Sequence, residues 1–123
     1  MAKQPLFDSL FALSGDIRYV AFRFGDDIDM RQRGGISEAS SSESDRYEEL
    51  LVNPTLLTLV GQRGRIDCGG LEFILIRYGN FFQLVHPLKD GHVSIAIEPE
   101  ADPLSLVAGI RHILNQYDLW PLA

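Results

Sequence analysis

Residues Leu71 to Glu98 hold three consecutive strand-like runs joined by Gly79-Asn80 and Asp90-Gly91, dipeptides whose ease in left-handed backbone makes them hairpin turns. A meander of this kind commits the chain to an antiparallel sheet. Its first run, Leu71 to Tyr78, is apolar at both alternations, so both of its faces need cover. Two-residue loops set register: with these dipeptides as the loops, Tyr78 faces Phe81 and Lys89 faces His92. One sheet face then carries Phe73, Leu75, Phe82, Leu84, His86, Val93 and Ile95, and the other Ile74, Ile76, Phe81, Val85, Ser94 and Ala96. Pro87 lacks a donor, which predicts a bulge or an early strand end near His86.

The flanking segments supply the cover. Leu6 to Leu13 has helical spacing, with Pro5 suited to a first turn and Gly15 to a stop. Ile17 to Phe24 is β-branched and aromatic, and Gly25-Asp26-Asp27 turns it into the polar run Ile28 to Arg33, an edge guarded by Asp29, Arg31 and Arg33. Residues Gly34 to Ser44 are serine-rich and nearly without apolar side chains, which predicts a flexible loop. A helical pattern starts at Asp45, with Glu48 at capping-box spacing and Tyr47, Leu50 and Leu51 on one stripe. Asn53-Pro54 predicts a break or sharp kink before a second segment, Pro54 to Val60, that Gly61 and Gly64 end. Asp102 and Pro103 begin a last helix with Leu106, Ile110, Ile113, Leu114 and Tyr117 on one stripe. The tail, Leu119 to Ala123, is apolar, so Trp120 either docks back on the domain or joins an interface.

The order α-β-β-α-β-β-β-α makes an α+β sandwich: one five-stranded antiparallel sheet flanked by helices on both faces. At 123 residues and 46% hydrophobic, the chain closes one core as a single domain. A net charge of -6 without a basic cluster argues against nucleic acid and anionic membranes as partners. One cysteine excludes an internal disulfide framework and fits a reducing cytoplasm. Asp8 interrupts any apolar leader, and no run approaches membrane-spanning length.

From Leu6 to Gln116 this layout resembles the roadblock/LC7 family, and so does the local sequence: Leu-Phe-Ala-Leu-Ser-Gly-Asp-Ile-Arg-Tyr-Val-Ala leading into the first strand and Asp90-Gly91 before the fifth. The resemblance implies a non-enzymatic, cytoplasmic homodimer that serves as a scaffold and regulates a small Ras-like GTPase. In that family the meander's first strand lies at a sheet edge and pairs with its twin, with the middle helices alongside. The implied interface comprises Leu71, Phe73, Ile74, Ile76 and Tyr78, with Tyr47, Leu51 and Leu57 from the middle helix.

No nucleophile, base and orienting group assemble by spacing, and no cofactor or metal site is expected. Asp26, Asp27 and Asp29 read as turn chemistry, and His86 as a core histidine on the face opposite His92. Cys68 reads as a small structural residue, since a reactive thiol would need a cation such as Arg65. Gly61, Gly64, Gly69 and Gly70 relax the helix-to-strand connection, and Arg77 sits across from Phe82 for a cation-π contact. A rival reading is a ligand sensor with a pocket between sheet and middle helix, lined by Phe73, Phe82, His86 and Tyr47.

Overall fold

The β-branched, aromatic run near the N-terminus forms an interior strand of the sheet. In the computed structural model, which describes residues 3–121, α1 (Gln4–Leu13) leads into β1 (Ile17–Phe24), and Gly25 at φ 59° turns the chain into β2 (Asp27–Gln32). Met1, Ala2, Leu122 and Ala123, which the leader and tail readings include, lie outside the described residues. With β3 (Ile74–Arg77), β4 (Phe82–Leu88) and β5 (Gly91–Ile97), the sheet has five antiparallel strands in the order β2-β1-β5-β4-β3. The α+β sandwich expected from the element order is the fold observed.

Alternation along the strands divides two unlike faces. Val20, Phe22, Leu84, Val93, Ile95 and Ile97 pack against Leu6, Phe7 and Leu10 of α1 and Ile110 and Leu114 of α4 (Val107–Gln116), all of them buried. Phe7 meets Phe22 edge-on at 5.3 Å between ring centroids. The opposite face has only a small apolar cluster, Tyr19, Ala21 and Ala96 with Met30 and Phe81 at its rim, and it lies under the middle helix.

One turn reading and one strand-end reading need correction. Tyr78 donates its amide to Phe81 at 2.9 Å, so Gly79-Asn80 is the β3–β4 loop as expected. The β4–β5 loop is Lys89-Asp90, with Leu88 opposite Gly91, so the register moves by two residues and leaves every side chain on its expected face. The reason lies in β1: a Cβ on Gly91 would sit 1.6 Å from the Arg23 carbonyl oxygen, so glycine is needed inside the strand, and Asp90 takes the left-handed turn position at φ 65°. Nor does Pro87 end β4 early. β3 pairs only with Phe82 to Val85, so beyond that point one side of β4 has no neighbour and a residue without N–H is tolerated.

The middle helix also departs from expectation. It starts at Ser42, not Asp45, because Ser41 caps it by accepting the Ser44 amide at 3.1 Å, and the serine run that reads as loop supplies the cap. Nor does Pro54 break it. α2 (Ser42–Tyr47) passes through a π-helical turn (Glu48–Val52) into α3 (Asn53–Asp67) with right-handed helical backbone throughout. Proline removes one i→i−4 donor and crowds the carbonyl four residues back. A widened turn, in which Asn53 donates to Glu48, relieves that crowding. Gly61 and Gly64 are buried within α3 and do not end it. A Cβ on Gly64 would lie 3.2 Å from the backbone of Gly70 and Leu71, so that glycine admits the returning chain. Gly69 and Gly70, at φ 83° and 91°, make the turn itself. β3 consequently begins three residues later than its apolar run.

Before α4, Pro103–Leu106 is a 3₁₀ turn, and the Asp102 side chain caps nothing. The expected stripe holds, with Ile110, Ile113 and Leu114 buried and Leu106 and Tyr117 packed at its margin. Of the two fates open to Trp120, docking is the one adopted: its ring meets His86 edge-on at 4.5 Å.

Candidate functional site

The sheet face beneath the middle helix is unusual in what it buries. Glu49, in the π-turn, is fully buried and takes three donors: the Tyr19 hydroxyl at 2.9 Å, the Asn53 amide at 3.0 Å and His92 Nε2 at 2.8 Å. Tyr19 comes from β1 and His92 from β5, so one carboxylate ties the helix to two strands. A buried carboxylate is tolerated only when its lone pairs are filled in this way. Burial and the Glu49 charge raise the Tyr19 phenol far above its ordinary range, which keeps it a donor. Along the same turn, burial holds the Asp45 and Glu48 carboxyls above their usual values, although Ser40 and Tyr78 hydroxyls partly offset this. Nearby, Gln83 donates to Ser94, and both side chains are buried. These groups hold the helix in place. They form no catalytic constellation, since the carboxylate is closed off by its own partners.

With its polar side turned inward, the helix presents apolar side chains to solvent. Tyr47 and Leu51 are 60% and 56% exposed, and Leu50, Leu59, Val60 and Ile66 are exposed beside or beyond them. β3 is an edge of the sheet, and Ile74 and Ile76 are half-buried on its helix-facing side. Tyr78, just after β3, donates to Glu48 at 2.7 Å, and burial with that bond pushes its pKa up to about 12. Tyr47, Leu51, Ile74, Ile76 and Tyr78 therefore belong to one side of the molecule. Leu57 and Leu71 stand apart from them in a recess with Gly61, Arg65, Pro87 and Trp120. Phe73 turns to the main core instead, beneath the Arg111 guanidinium at 5.7 Å, because it alternates with Ile74.

The four residues expected to line a ligand-sensor pocket do not converge. Phe73, Phe82 and His86 lie in or against the main core, whereas Tyr47 is on the far side of the sheet. Between sheet and middle helix the hollow beside Arg18, Tyr19 and Gln83 measures about 10 Å³, the space of one water. His86 is a buried core histidine that accepts from Arg111 Nε at 3.2 Å and contacts the Pro87 carbonyl through Nδ1. Burial, helped by Arg111 and opposed by the Pro87 carbonyl, pulls its pKa below the ordinary value. Cys68, read as a small structural residue, is exposed, with Arg63 rather than Arg65 beside its sulfur at 3.3 Å. Arg77 lies over Phe82 at 4.9 Å, as the register implied. Among the described residues no helix is long and apolar enough to cross a membrane.

Sequence did not single out Glu49, and it read Asn53 only as part of a helix break and His92 only by its place in the strand register. A signal existed: Tyr19, Ala21, His92, Ser94 and Ala96 alternate with large aliphatics, marking a sheet face too small and polar for an ordinary greasy helix. No protein-family model and no curated protein matches this chain.

Proposed function

We propose that the chain is a non-enzymatic adaptor that self-associates through β3 and the outer face of the middle helix, as roadblock/LC7-like domains do, and that the resulting platform regulates a small Ras-like GTPase in the cytoplasm. The observation that carries the self-association is the pairing of an unguarded sheet edge with outward apolar residues on the neighbouring helix. The two edges of the sheet differ in this respect. β2 carries Asp27, Asp29 and Arg31, which discourage strand addition, whereas β3 is Ile-Leu-Ile-Arg. Antiparallel pairing of β3 with its copy across a twofold axis would fill the edge and bring Tyr47 and Leu51 of two helices together. Contiguous exposed apolar surface of this kind commonly marks a protein contact. The GTPase role rests on the resemblance in element order alone.

Sedimentation velocity over a hundredfold concentration range tests the association. The wild-type chain is expected to sediment as a dimer, and Ile76→Glu and Leu51→Glu as folded monomers. A wild-type monomer, or dimers that survive both substitutions, would refute the interface.

A further inference from the structure

At the end of the molecule away from Tyr47, two recesses adjoin, of about 440 and 400 Å³, sharing Leu57, Arg65 and Pro87 as a common wall. Each is of a size that suits a small molecule. The first is bounded by Arg23, Asp90 and Gly91, the second by Leu71, Trp120 and the bare backbone of Gly69 and Gly70. Apolar side chains thus dominate one end, and two guanidiniums stand at the other.

The charges are out of character for this chain. Its net charge is -6, yet Arg23 and Arg65 share a recess with one carboxylate, Asp90. Arg18, Arg31, Arg63 and Arg111 each lie within 4.0 Å of a carboxylate, whereas among the described residues neither Arg23 nor Arg65 has such a partner or a side-chain hydrogen bond. Arg65 is also placed by the fold: its Nη1 lies 3.5 Å from where a Cβ on Gly61 would be, so the side chain folds back along α3 into the recess. A planar guanidinium over an apolar floor is suited to a carboxylate whose body is flat and hydrophobic. Trp120, held by His86, offers such a body an aromatic wall.

We infer that this groove is a binding site for a small aryl carboxylate, its ring between Leu57, Leu71 and Trp120 and its carboxylate between Arg65 and Arg23. The site borders the main core through Trp120 and does not depend on the self-association argued above.

Trp120 is the only tryptophan in the chain, so its indole N–H is a single, assignable NMR probe inside the site. Titration of ¹⁵N-labelled full-length protein with 2-naphthoate is expected to shift that resonance and the Gly69 and Gly70 amides saturably. The neutral isostere 2-naphthamide should bind at least tenfold more weakly. Arg65→Gln and Arg23→Gln should each weaken naphthoate at least fivefold while leaving naphthamide unchanged, and Arg63→Gln, at an exposed ion pair outside the groove, should change neither. Spectra of the variants in the absence of ligand report whether each is folded. No saturable shift with naphthoate, equal affinity for the two probes, or arginine variants that bind as the wild type does would each overturn the assignment.

Discussion

Glu49 shows how much one side chain can decide. Its carboxylate is the common acceptor for Tyr19, Asn53 and His92, so removing it leaves three buried donors without a partner. Glu49→Leu is expected to lower unfolding free energy by about 3–5 kcal/mol. Glu49→Gln keeps one acceptor and should lose about 1–2 kcal/mol; urea-unfolding midpoints compare the two. His86 makes a different demand. Its folded pKa lies below the ordinary 6.5, so as pH falls from there the unfolded chain takes up a proton that the folded chain refuses. Stability from this group is therefore whole above that pH and declines below it. The slope of stability against pH between 6.5 and 5 should shrink in His86→Gln, a comparison that cancels the opposing drift from Asp45 and Glu48. Sequence identified His86 as core because its neighbours by register are aliphatic. It missed Glu49 because a glutamate amid Leu50, Leu51 and Val52 looks like the solvent side of a helix, and nothing in the sequence declares a π-turn.

At the scale of elements, β1, α1 and α4 were legible because their apolar spacing, prolines and turn residues all agree. The middle helix was not, since Asn53-Pro54 is locally a good helix start, and only a widened turn lets the helix run through it. The β4–β5 loop was misread by one residue because Gly91 carries two signals at once, ease in a turn and absence of a Cβ, and the close approach of β1 makes the second decisive. This yields a sharp comparison. Gly91→Ala should destabilise by about 3 kcal/mol or more, since a Cβ only 1.6 Å from the Arg23 carbonyl oxygen can be accommodated only by shifting a strand, whereas Gly34→Ala, with open space around it, should stay within about 0.5 kcal/mol. Thermal unfolding of the two variants beside the wild type provides the check.

For the whole molecule, a single five-stranded antiparallel sheet with helices on both faces followed from counting strands and faces. The surface did not follow so directly. Five of the eight residues expected at an interface share one side, Leu57 and Leu71 occupy the groove, and Phe73 belongs to the core. A four-residue β3 accounts for Leu71, since the run spends its first three residues leaving the glycine turn; Phe73 faces the core by alternation, and Leu57 lies further along the helix than Leu51. If self-association is right, Ile76→Glu changes subunit count without unfolding the monomer, because Ile76 lies at the periphery of the sheet rather than in its main core. The polar layer under the middle helix has one more consequence. Layers of aliphatic side chains tolerate small rotations, but hydrogen bonds have directions, and Glu49 is held from two strands simultaneously. Turning the helix by one residue, about 100°, would break the bonds to both Tyr19 and His92. The seam therefore acts as an index pin: it fixes the rotational setting of the helix, and with it which side chains any partner meets and where they are aimed.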